Sequence, residues 1–277
     1  MMSKVAFITG STRGIGRSIA IHLAKSGYHV IVNGTNQSLI DHVVDDIQQS
    51  GGNALGYLAD ISDPAAVTCM MQFITIHYSH IDVCIHSAGN LHDAYSIHMT
   101  DEEWQAVVNV HLNGAFYSIN RIMPYMKERG GDIVLMTSTA GLMGSKGQLN
   151  YSAAKAGILG MVWTLSEELE QYGIRVNGIA PAALTDMTQP IIEHIQAKYS
   201  RLHKPLPDFW QVGSADDIAQ FMIALLAEPN KKLTGEIIGV NRSTITRWQR
   251  PIPIFSADSI EQFFDTWYRQ QKEVNEC

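Results

Sequence analysis

Tyr151-Ser152-Ala153-Ala154-Lys155 sets a phenol and an ammonium four residues apart, so in a helix both side chains leave the same face. A free phenol titrates near pH ~10, too high for ready proton exchange at neutral pH, and a neighbouring ammonium favours the phenolate and lowers that value. The pair suits general acid-base work. Earlier in the chain stands Ser138, whose hydroxyl can hydrogen-bond the substrate oxygen that Tyr151 protonates, or simply cap the next helix. A second chemistry is written near the start, where Gly10-Ser11-Thr12-Arg13-Gly14-Ile15-Gly16 joins an apolar run to an amphipathic one. Gly10 permits a tight turn, Gly14 lets backbone approach a pyrophosphate, Gly16 allows close helix packing, and the helix N-terminus faces the anion.

A dinucleotide held there puts its adenosine ribose at the end of the second strand, where a carboxylate would bind the 2′-hydroxyl and repel a 2′-phosphate. That stretch reads Val32-Asn33-Gly34-Thr35-Asn36 and has no carboxylate, which leaves Thr35 as the candidate ribose contact. Arg13 either pairs with a 2′-phosphate through its guanidinium fork or remains a solvated loop cation. These residues favour NADP over NAD. No metal site is expected, because His77/His80 and His92/His98 lack a third ligand at useful spacing.

Such loops and pairs need a scaffold, and the chain offers one. β-branched runs at Val5–Thr9, His29–Asn33, Ala54–Leu58, Val83–His86, Asp132–Thr137, Arg175–Ile179 and Glu236–Val240 alternate with amphipathic segments. Helices are expected at Ile15–Lys25, Gln37–Gln49, Pro64–Tyr78, Asp101–Lys127, Ser152–Gln171 and Ala215–Ala227. The alternation predicts one α/β domain over residues 1–240, a doubly wound Rossmann sheet of seven mostly parallel strands, with its ligand outside the carboxyl ends of the strands. Residues 241–277 form an extension, in which Asp258 caps a helix presenting Ile260, Phe263, Phe264 and Trp267. That face is expected to pack on the same domain or a neighbouring subunit and to border the substrate entrance, where Arg247 and Arg250 would meet phosphates.

Composition narrows the partners. With 45% hydrophobic and 17% charged residues the chain can bury a substantial core, and a net charge of -7 argues against nucleic acid or an anionic membrane. No apolar run reaches the length of a membrane span, and the first residues lack a signal-peptide core. Three unpatterned cysteines (Cys69, Cys84, Cys277) suit a reducing compartment, so a cytoplasmic protein is expected.

Taken in order, Thr9–Gly16, Asp60, Ala88-Gly89, Ser138, Tyr151 with Lys155, and Asn177 to Pro181 resemble the short-chain dehydrogenase/reductase family, from residue 4 to about residue 240. The resemblance implies hydride transfer between a nicotinamide and a carbonyl or secondary alcohol, with Ser138, Tyr151 and Lys155 as the catalytic group. It also implies that Lys155 holds the nicotinamide ribose, Asp60 and Ile61 the adenine, that Ala88 and Gly89 lie along the cofactor, and that Pro181 to Leu184 flank the nicotinamide. A homo-oligomer, dimer or tetramer, is implied as well.

The chain also departs from the family pattern. Asn-Asn-Ala-Gly becomes His86-Ser87-Ala88-Gly89, Pro-Gly becomes Pro181-Ala182, and His111 stands where an asparagine commonly completes a tetrad. There His111 holds a relay water, or Asn113 substitutes for it, or His111 only packs. His111, the short Pro181–Thr188 loop, Met99–Trp104 and Arg247-Trp248 are similar to the 3-oxoacyl-thioester reductase and (3R)-hydroxyacyl-CoA dehydrogenase subgroup. This implies a β-keto or β-hydroxy acyl thioester, on coenzyme A or an acyl carrier protein. The subgroup often uses NAD, against the reading of Arg13. A steroid, sugar or secondary-metabolite ketone is the competing substrate. A non-catalytic NADP sensor or scaffold is the competing function, and it would not need Ser138, Tyr151 and Lys155 together.

Overall fold

A computed structural model of the chain describes residues 4–227 and 233–275, leaving Cys277 outside the described residues. The elements run β1 (Val5–Thr9), α1 (Gly14–Lys25), β2 (His29–Gly34), α2 (Gln37–Gln49), β3 (Asn53–Leu58), α3 (Pro64–His77) and β4 (Val83–His86). Then come α4 (Asp101–Val108), a π-helical segment (Asn109–Asn113), α5 (Gly114–Met126), β5 (Gly131–Met136), α6 (Thr139–Met143), α7 (Leu149–Glu168) and β6 (Ile174–Pro181). The chain closes with β7 (Ala183–Leu184), α8 (Gln189–Arg201), β8 (Gly213–Ser214), α9 (Ala215–Ala227), β9 (Ile237–Asn241), β10 (Thr244–Trp248) and α10 (Ile260–Asn275).

The main sheet has the order β10-β9-β6-β5-β4-β1-β2-β3, parallel throughout except for β10, which runs antiparallel to β9. Strand order reverses between β1 and β4, so the crevice for a ligand opens above Thr9 and His86, which face each other in register. Alternation along β1 explains why both sheet faces are covered: Ala6 and Ile8 pack with α1, α2 and α9, whereas Val5 and Phe7 pack with α3, α5 and α7. Cys84 is one of the residues sealed inside, and burial pushes its thiol up to about 12, which leaves it unreactive.

Three expectations need correction. The sheet has eight strands, not seven, because Thr244–Trp248 folds back along Ile237–Asn241. Arg242 takes a left-handed φ of 54 in the turn, so the hairpin lacks the glycine that usually marks one. The helix expected over Asp101–Lys127 is broken by the π-helical Asn109–Asn113, which adds a residue to the turn carrying His111. In addition, α10 is capped by Ser259, whose Oγ accepts from Gln262 N at 3.1 Å, and not by Asp258.

Candidate active site

The glycine loop shows its fitness for a phosphate group in its sterics. Gly10 has φ 63, and a Cβ there would lie 2.4 Å from Ala88 Cα; Gly16 would meet Gly10 O at 2.3 Å. Helix α1 starts at Gly14 with no side chain capping it, so its first N–H groups remain available to an anion. Thr12, Arg13, Gly14, Ile15 and Gly16 line a cleft of about 410 Å³. Ser11 does not: it is fully buried, donating to Ile8 O at 2.8 Å and accepting from Asn33 N at 3.0 Å, so it holds the loop to β2 from behind.

Asn33 was passed over in the sequence, yet it lines the cleft and ties the first three strands together. Its Nδ2 donates to Ala59 O at 3.1 Å and Tyr57 O at 3.3 Å, and its Oδ1 faces Gly10 N at 3.5 Å. Any side chain at position 34 would strike Thr12 Cγ2 at 2.6 Å, so Gly34 keeps this corner open beside Thr35. Asp60 and Ile61 complete this end, the Asp60 carboxylate being held by Ser62 N and Oγ at 2.9 and 2.7 Å. Arg13 is exposed and makes no ion pair among the described residues.

At the other end, Tyr151 and Lys155 share one face of α7, with the Lys155 nitrogen 5.5 Å from the centre of the Tyr151 ring. Lys155 donates to Met136 O at 2.6 Å, and burial brings its ammonium down to about 7. The phenol of Tyr151 is raised, not lowered as the sequence suggested. Burial is the main cause, a hydrogen bond with Ser138 opposes it, and the Asp93 charge adds to it. Ser138 caps α6 through Ala140 N at 3.1 Å, and its hydroxyl hydrogen-bonds the Tyr151 phenol.

His111 also lines the cleft, its ring edge-on to Tyr151 at 5.1 Å. Its Nε2 lies 2.9 Å from Asn90 O and 3.2 Å from Asn90 N, while Nδ1 is buried with no hydrogen-bond partner. Burial, then the Lys155 charge, hold the imidazole well below its usual pKa, so it is neutral. Asn113 instead turns to Asn109, donating to its Oδ1 at 2.8 Å, and does not line the cleft. Ala88, Gly89, Asn90 and Pro181 lie between the two ends. Leu184 is not among the lining residues and is 48% exposed in β7; Thr185, Asp186 and Met187 line the cleft in its place.

The family described as short chain dehydrogenase matches residues 4–196. The chain belongs to the short-chain dehydrogenase family. It is thus an NAD(P)-dependent oxidoreductase acting between alcohol and carbonyl, as the cleft, the glycine loop and the Tyr151/Lys155 face suggest. A 3-oxoacyl-[acyl-carrier-protein] reductase from Synechocystis is 38% identical over 245 residues, spanning 87% of this chain and 96% of its own. The FabG 3-oxoacyl-[acyl-carrier-protein] reductase of Thermotoga maritima is 34% identical over 241 residues, 86% of this chain and 96% of its own. The crystal structure of a short chain dehydrogenase from Mycobacterium avium superposes with a TM-score of 0.80 at 26% identity, covering 96% of this chain and 94% of that one. Among the described residues, no helix of this dehydrogenase is long and apolar enough to cross a membrane.

Proposed function

We propose that this enzyme reduces the 3-oxo group of acyl thioesters, in the cytoplasm and as a homo-oligomer, with NADPH preferred over NADH. The observation that carries the reading is the pairing of Tyr151 and Lys155 at one end of a cleft whose other end is the glycine loop, with Ser138 hydrogen-bonded to Tyr151. NAD(P), when bound, supplies or accepts the hydride. Tyr151 gives its phenolic proton to the substrate oxygen, and Ser138 donates a hydrogen bond to that oxygen as negative charge develops on it. The Lys155 ammonium, close to the Tyr151 ring, stabilises the phenolate left behind and binds the nicotinamide ribose. His111, neutral and lining the cleft, holds the relay water that resupplies the proton at this end.

The thioester is supported by the relatives' substrates and by exposed Met143, Leu149, Met187 and Ile191 on the segments flanking Tyr151 and the cleft, apolar surface suited to an acyl chain. The NADP preference is supported by the unpaired Arg13 and by the missing carboxylate after β2. The tail arginines do not contribute. Arg247 is bound twice to Glu236 at 2.7 Å, and Arg250 to Glu167 at 2.7 Å. Glu167 also lies sixteen residues along α7 from Tyr151, about 24 Å at 1.5 Å per residue. Exposed Phe263, Phe264 and Trp267 on α10, and Phe116 on α5, support an assembly of several copies.

The test is oxidation of NADPH and of NADH with 3-oxoacyl-coenzyme A, 3-oxoacyl carrier protein and a panel of simple ketones. A kcat/KM for both thioesters no better than for cyclic ketones would refute the substrate class. Faster turnover with NADH would refute the cofactor preference.

A further inference from the structure

His86 ends β4 with no exposed surface, directly beneath the crevice, and the chemistry just described leaves it unused. Its surroundings fix its protonation. The Thr9 hydroxyl oxygen accepts the N–H groups of Ser87 at 3.1 Å and Ala88 at 3.2 Å, so its own proton must go elsewhere. The acceptor within reach is His86 Nδ1 at 3.1 Å. A ring that accepts at Nδ1 carries its proton on Nε2 and is neutral. Burial and the Lys155 charge agree, bringing His86 down to about 3.

That Nε2–H is fully buried and has no hydrogen-bond partner among the described residues. Nδ1 is therefore the nitrogen that makes a bond, and the turn it reaches through Thr9, Ser87-Ala88, lines the cleft.

We infer that His86, as the neutral Nε2–H tautomer, is a positioning residue: by accepting at Nδ1 it orients the Thr9 hydroxyl, whose oxygen holds the Ser87-Ala88 turn that lines the cleft.

Two substitutions test it. His86→Asn puts an oxygen near the place of Nδ1 and keeps Thr9 satisfied, so KM for NADPH should stay within about twofold. His86→Gln carries its amide past Thr9 and abandons it, so KM for NADPH should rise several-fold while kcat stays within about twofold. The assay uses whichever carbonyl the unmodified enzyme reduces fastest, so a mistaken substrate class does not touch it. Equal rises in KM for both variants, or no rise in either, would show that His86 merely packs. Should either variant fail to fold, nitrogen-15 imidazole shifts of the unmodified protein decide the tautomer: a proton on Nε2 is expected, and a proton on Nδ1 overturns the inference.

Discussion

Gly89→Ala is a severe test of the cleft because the change is one methyl group and its target is known. Gly89 has an ordinary backbone conformation, so alanine brings no φ penalty and any effect is steric. The added Cβ would lie 2.4 Å from Cε1 of His111, 3.2 Å from Nε2 and 3.3 Å from Nδ1. Carbon atoms pack best at about 3.5–4.0 Å, so the ring or the backbone must give by roughly 1 Å. The ring is fixed by Asn90 at 2.9 Å and by its edge contact with Tyr151 at 5.1 Å, and a shift of that size breaks the first or distorts the second. Overpacking costs about 1–3 kcal/mol and a lost hydrogen bond about 1 more, giving about 2–4 kcal/mol. For a chain of this size that is a fall in Tm of about 5–15 °C. Turnover should drop at least about tenfold as Tyr151 loses its neighbour. Thermal unfolding and steady-state kinetics read both, and repeating them in His111→Asn, where the smaller side chain makes room, should show a much smaller cost. Normal Tm and kcat for Gly89→Ala would mean that His111 does not stand against Gly89.

Tyr151→Phe should lower turnover by about 10²–10⁴-fold while nucleotide affinity, read by fluorescence titration, barely changes; more than a few per cent residual activity would remove Tyr151 from proton transfer. Arg13→Ala should raise KM for NADPH by the worth of one charge-assisted pair, about 1–3 kcal/mol, and leave KM for NADH alone, whereas equal effects would make Arg13 a plain surface cation. Lys155 gives a pH signature. Its folded value is about 7, against about 10.4 unfolded. Between those values the unfolded chain binds more protons at this lysine, so its contribution to stability rises as pH rises. Cofactor-free protein should gain urea resistance from pH 7 to pH 9, and Lys155→Met should lose that gain; an identical gain in the variant would contradict the buried ammonium.

The strands of the sheet were readable because each is a short β-branched run bounded by turn residues, and the glycine loop because its spacing follows from the space a phosphate needs. Thr244–Trp248 was not readable: it is exposed along most of its length, so it has no apolar signal, and Arg242 stands in the turn where glycine would announce a hairpin. Helix α8 escaped because only Ile192 is buried. Tyr151, Lys155 and the loop glycines stood out because chemistry or sterics demands their residue types. Asn33, Asn90 and His86 did not, since their importance comes from the groups they meet elsewhere in the fold, Ala59 O for Asn33, Ala106 O for Asn90 and the Thr9 hydroxyl for His86. The π turn left no trace either, because one inserted residue shifts the helical face without changing its composition. The tail arginines misled for the opposite reason: charge is visible in a sequence, but the carboxylates that neutralise it are not.

Helix α9 covers α1, the helix that begins at the glycine loop: Ile218, Ala219 and Met222 pack with Ile19, Ala20 and Leu23, and Ser18 donates to Asp216 at 2.5 Å. About two hundred residues separate these partners, so during synthesis the loop emerges early on a helix whose apolar side stays bare until nearly the whole chain has left the ribosome. A product released between residues 188 and 214 carries every side chain that lines the cleft but not the helix that presses α1 onto the sheet. Such fragments are therefore expected to be chaperone clients and protease substrates, and nucleotide rescues them poorly, because the helix that opens its site is seated on the sheet by one that arrives late.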